Sequence, residues 1–137
     1  MRAVEVVVRE LVEQWLEKAE TDLVAAGRLA SEARLRGLAA FLCQQAAENF
    51  LKAVLVRNQV EFPKIHNLKE ILDLVATVEP LLAAALRPAE VLTEYAVDPR
   101  YPGDYPKVTS ETVRTALAVA SQVREAVRRN LRDYPAP

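Results

Sequence analysis

The stretch LAAFLCQQAAENFLKAVLVRNQ, residues 38–59, decides the fold. Phe41, Leu42, Cys43, Ala46, Ala47, Phe50, Leu51, Ala53, Val54 and Leu55 cover far more than one stripe of an α-helix. A helix that is apolar nearly all round belongs at the centre of a bundle, with other elements packed on several sides. What remains polar is a narrow strip, Gln45, Glu48, Asn49 and Lys52, with Gln44 beside it. Glu48 stands four residues before Lys52, the order in which an ion pair supports a helix.

Toward the N-terminus, Val4, Val8, Leu11, Trp15, Ala19, Ala26, Ala30 and Ala33 recur at steps that put them on one side of a long first helix. A second apolar line at Val7, Val12 and Leu23 widens that face. The stop is expected at Arg34-Leu35-Arg36-Gly37, where cations precede a glycine. Toward the C-terminus, Phe62-Pro63 breaks the pattern. Asn67 is placed to cap a short third helix through Leu68, Ile71, Leu72 and Val75. Pro80 and Pro88 each suit a first turn, so Leu81 to Tyr95 forms either two short helices or one kinked at Pro88. Val97 to Pro106 holds three prolines and a glycine, which excludes regular structure and makes this the long loop. Thr109 or Ser110 then caps a last helix with Val113, Ala116, Leu117, Ala120, Val123, Val127 and Leu131 inward. The chain reads as one all-α domain over residues 1–137, an antiparallel up-and-down helical bundle of four to five helices.

Composition removes several functions. One cysteine, Cys43, permits no internal disulfide, and with a single histidine, His66, no structural zinc cluster of the usual kind can form. No metal or cofactor is expected. Eighteen Lys and Arg against nineteen Asp and Glu give a net charge of −1, so DNA is not an expected partner. The first residues carry acidic groups within their apolar run, unlike a secretory leader, and no charge-free run reaches the ~20 residues of a membrane span. A cytoplasmic location is expected.

Three groups of residues carry a resemblance: Gln44 through Ala53, then His66-Asn67-Leu68, then Arg100-Tyr101-Pro102, with Trp15, Ala19, Asp22-Leu23 and Ala26 ahead of them. Their order and spacing resemble the HEPN family from about residue 12 to residue 132. The resemblance implies a bundle built on two long antiparallel helices, commonly a homodimer. It also implies a minimal nucleotidyltransferase as partner, in toxin-antitoxin or nucleotide-handling systems. Some members of that family are metal-independent ribonucleases, similar to one another in an Arg followed four to six residues later by His. This sequence departs from that pattern: Arg100 stands in the matching loop, but no histidine follows His66. Cleavage through the 2′-hydroxyl needs a proton acceptor near neutral pH, which a tyrosine with a reference pKa near ~10 supplies poorly.

The expected function is therefore an interaction module that binds nucleotide or RNA. The alternative is a weak endoribonuclease in which Asp104 or Tyr105 replaces the histidine. Arg100 is a candidate phosphate ligand, with Tyr101 or Tyr105 stacking on a base; equally, these residues pin the loop to the bundle. Lys52 and His66 are further nucleotide-binding candidates, although a histidine beside Asn67 also suits capping or packing. Asp22, on the apolar side of the first helix, needs a partner, either Arg100 or Lys52, from the same chain or a dimer mate. The strip Gln45, Glu48, Asn49 and Lys52 either lines a nucleotide site or ties neighbouring elements together. Arg124, Arg128, Arg129 and Arg132 read as a solvated face at the end of the last helix.

Overall fold

The computed structural model describes residues 2–64 and 67–135. Five α-helices form among them: α1 (Arg2–Leu29), α2 (Arg36–Arg57), α3 (Leu68–Ala76), α4 (Pro80–Leu86) and α5 (Ser110–Asn130). Short 3-10 segments cover Ala33–Leu35 and Arg87–Tyr95. The all-α bundle is what the periodicity predicts.

Cross-helix contacts give the directions. Asp22 of α1 meets Asn49 of α2, and Trp15 lies against Lys52, so residue numbers run oppositely along the pair. Arg57 at the end of α2 meets Asp133 beyond α5, so these two descend together. The segment from α3 through Arg87–Tyr95 is the return leg between them. It is broken into pieces because Pro80 and Pro88 each sit in a first turn, where a missing N–H costs nothing. Of the two readings for Leu81 to Tyr95, two short helical pieces is the one observed.

α2 is central because its apolar residues leave no face for solvent. Every residue from Ala46 through Leu55 is buried, Phe50 and Leu51 among the largest. It packs most extensively on α1 and next on α5. Its C-terminus closes with Gln59 in the left-handed region at φ 54°. There Gln59 N–H donates to Val56 C=O, and Val60 N–H to Leu55 C=O, which satisfies two terminal carbonyls. The other caps follow local chemistry. Asn67 accepts from the N–H groups of Lys69 and Glu70, and Thr109, rather than Ser110, accepts from Thr112 N–H.

Two expectations for α1 are corrected. The helix ends at Leu29 instead of running to Ala33, and Gly37 is not its stop but the second residue of α2. The turn is made by backbone bonds from Ala30 to Ala26 and from Leu35 to Glu32. The buried line of α1 is Val12, Leu16, Ala19 and Ala26, while Val4, Val7 and Leu11 are exposed. They share a helical period with the core but sit on another side of α1, since Leu11 directly precedes the fully buried Val12.

The C-terminal arginines need a second correction. Glu20 accepts hydrogen bonds from Arg124 Nε at 2.6 Å, Arg128 Nε at 3.0 Å and Arg128 Nη2 at 2.7 Å. Arg124 and Arg128 thus join α5 to α1 instead of lying in a solvated face. Burial raises the Glu20 carboxyl pKa, but the bonds from Arg124 and Arg128 outweigh it and hold it below its ordinary value. A lowered folded pKa gives stability that is present above the unfolded value and lost as pH falls through the folded one. Glu20→Gln is therefore expected to lower stability by about 1–2 kcal/mol at pH 7. In urea titrations its midpoint should converge on that of the wild type below about pH 4.5.

Candidate functional site

Two sets of polar residues stand out, and they occupy different places. The first is the α2 strip. Gln45 Nε2 donates to Gln44 Oε1 at 2.7 Å, Gln44 Nε2 to Glu48 Oε1 at 3.3 Å, and Lys52 Nζ to Glu48 Oε2 at 3.0 Å. Glu48 and Lys52 are an interior pair, their side chains 2 % and 8 % exposed. Lys52 Nζ also lies 5.4 Å from the centre of the Trp15 ring and 5.5 Å from that of Phe62. Trp15 and Phe62 meet edge to face with centroids 6.0 Å apart. The lysine offered as a nucleotide ligand is thus enclosed by a carboxylate and two aromatic rings.

Within one chain Asp22 is bound by neither Arg100 nor Lys52, and for the same chain that expectation is corrected. Asn49 Nδ2 donates to Asp22 Oδ2 at 3.0 Å. The amide, itself buried on α2, reaches α1 because both residues lie on the seam between the helices. Burial raises the Asp22 carboxyl pKa and nearby Glu48 adds to this, against the lowering effects of Asn49 and Lys18. A raised folded pKa means the charged form costs stability at neutral pH, a cost relieved as pH falls toward the unfolded value. Asp22→Asn is expected to stabilise the fold at pH 7 by up to about 1 kcal/mol. Thermal melts should show that advantage disappear near pH 3.8.

The second set is the loop between Tyr95 and α5. Asp98 Oδ1 accepts from Arg100 N–H at 2.9 Å and from Arg100 Nε at 3.0 Å, while Asp98 Oδ2 accepts from Arg100 Nη2 at 2.5 Å. The bonds to Arg100 hold the Asp98 carboxyl below its usual range. Arg100 nevertheless points outward, 70 % exposed against 13 % for Asp98. Tyr105 donates its hydroxyl to the Tyr101 carbonyl and folds the loop back on itself. Gly103, at φ 152°, takes a backbone conformation that side chains disfavour, and it lies against the Tyr105 ring. Tyr101 is 69 % exposed, and Asp104 is exposed as well.

The loop rests on α2. A Cβ built on Gly37 would lie 3.6 Å from Pro99. Lys52 stands fifteen positions further along the same helix, about 22 Å at 1.5 Å per residue. Within one chain, the loop and the interior strip are therefore separate. His66 lies outside the described residues. Cys43 is no nucleophile, because burial pushes its thiol up to about 12.

One arrangement has no signal in the sequence pattern. Tyr134, four residues past α5, is buried with Arg9 stacked 4.5 Å and Arg57 5.6 Å from its ring centre. Arg9 also donates to Asp133 C=O at 2.9 Å, and Arg57 meets Asp133 Oδ2 at 3.2 Å. A cavity of about 660 Å³ opens beside them under Val4, Val6 and Val8.

A central apolar helix with an interior polar strip, followed by an ordered arginine-bearing loop before the last long helix, defines a helical-bundle class of protein. A family model for the HEPN domain matches residues 12–130, and the chain belongs to the HEPN domain family. Comparison with curated proteins and with solved structures finds no match.

Proposed function

We propose that this chain is a non-catalytic HEPN module, a homodimer that partners a minimal nucleotidyltransferase and offers the Arg100 loop to a nucleotide or RNA. The observation that carries this reading is the state of that loop. Arg100 is held outward by Asp98, a geometry suited to an anion. No histidine follows it, and the Tyr105 hydroxyl is engaged with the Tyr101 carbonyl. The carboxylate on Arg100, Asp98, is held below its usual range by that same arginine and is a weak base, so the loop suits phosphate binding better than activation of a 2′-hydroxyl. The exposed Val4, Val7 and Leu11 of α1 are consistent with a further subunit.

Co-expression with a minimal nucleotidyltransferase encoded beside the gene, followed by size-exclusion chromatography with light scattering, tests the partner. Co-elution of a dimer with the enzyme is expected; separate elution would count against the module. Incubation with mixed RNA tests the absence of catalysis. Cleavage by the wild type that disappears in Arg100→Ala would overturn it in favour of the ribonuclease.

A further inference from the structure

Lys18 and Asp22 stand one turn apart on an edge of α1 that is turned away from α5. Glu20, two residues from each and so on the opposite side of the helix, is the residue that binds α5. The buried line Val12, Leu16 and Ala19 takes a third side. The edge begins at Val4, Val7 and Leu11, which are 47, 53 and 41 % exposed. It continues through Lys18, Asp22, Ala25 and Leu29 at helical spacing, so apolar groups lie toward both ends and opposite charges at the middle. Asp22 is half-buried, and the group that hydrogen-bonds to it is a neutral amide, Asn49. Glu48 lies near it but is neutralised by Lys52 within α2. Lys18 Nζ lies 5.5 Å from the centre of the Trp15 ring and acts on Asp22 by charge without a hydrogen bond. A half-buried carboxylate held only by an amide favours a cation brought from outside the chain.

We propose that a second copy of this chain packs on this edge, with the two α1 helices antiparallel and Lys18 of each copy paired with Asp22 of the other. The pairing rests on the homodimer proposed above and gives it a surface and a register. In this register Leu11 of one copy meets Leu29 of the other. On the flank of the seam, Glu10 comes within reach of Arg28 of the second copy, and both are exposed. Shifting the antiparallel pair by one turn sets Lys18 against Lys18, or Asp22 against Asp22, and a parallel pair does both. Charge therefore selects one register over its neighbours. A second copy is the occupant because one line of residues carries both halves of every pair, which is what a twofold interface requires.

Sedimentation equilibrium on the wild type, Lys18→Glu and Asp22→Lys tests this, with circular dichroism run on each variant. The wild type is expected to be a dimer. Either reversal sets two like-charged pairs across the seam and is expected to weaken self-association about a hundredfold. An equimolar mixture of the two variants is expected to recover a dimer, because the mixed pair alone sets opposite charges at both positions. No contact inside one chain produces that recovery. Loss in both variants without recovery in the mixture would overturn the pairing. If both variants dimerise like the wild type, the edge is wrong and the homodimer stands on another surface. If the wild type is a monomer at every concentration, the edge and the homodimer both fall, while co-elution with the nucleotidyltransferase is judged on its own. Should a variant unfold, Trp15, the sole tryptophan, decides the matter on the wild type. It borders the seam beside Lys18, so its emission is expected to shift to the red at the dilution where the dimer dissociates. Unchanged emission through that transition would count against the surface.

Discussion

Lys52→Met is expected to destabilise the protein by about 3 kcal/mol, a large share of the stability available to a domain of this size. The substitution keeps most of the side-chain volume, so packing against Trp15 and Phe62 is largely retained. What is lost is the cation 3.0 Å from Glu48 Oε2, in a setting where both side chains are almost wholly shielded from water. Removing one partner of an interior pair costs more than the pair itself contributes, because the remaining charge stays desolvated. The ammonium also loses its position beside two aromatic faces, worth up to ~2 kcal/mol when dry. Urea titration should place the midpoint about 1–2 M lower with an unchanged slope. Lys52→Arg, which restores the charge, should recover part of the loss. A midpoint within about 0.3 M of the wild type for Lys52→Met would show that the pair is solvated in solution.

The second large effect is purely apolar. Phe50 is fully buried on α2, the helix that packs on both α1 and α5. Phe50→Ala removes a ring from a place where surrounding helices cannot close the gap without separating from one another. Transfer and cavity contributions together predict a loss of about 4 kcal/mol. For a chain of this length that lowers the melting temperature by roughly 10–15 °C. Differential scanning calorimetry on both variants checks the pair of predictions together. A loss under about 1 kcal/mol for Phe50→Ala would mean that the α2 core repacks freely.

Much of this fold is legible in the amino-acid order because its signals are local. The burial of α2 follows from residues 46–55 alone, since a helix apolar on all sides has only one place to go. The caps at Asn67 and Thr109 act within three residues, as does the break at Pro80. The Glu48–Lys52 pair is one helical turn apart and is likewise visible in the sequence. The family resemblance, carried by residues on α1, α2 and the Arg100 loop, agrees with the match over residues 12–130.

Local periodicity does not say which neighbour covers a given face. Val4, Val7 and Leu11 obey the same spacing as the core of α1, yet they are exposed because they sit on another side of the helix from Val12 and Leu16. Asp22 chose Asn49, twenty-seven residues away, and Glu20 took Arg124 and Arg128, more than a hundred away. Those choices depend on where two helices cross, which is set by the packing of all the others. The Arg100 loop comes to rest on α2 for the same reason: Gly37 lets Pro99 lie against the start of that helix. Composition and spacing determined the helices, their order and the arginine of the loop. Tertiary packing alone decided that Lys52 is enclosed, that Arg100 is open, and that its loop rests on the start of α2.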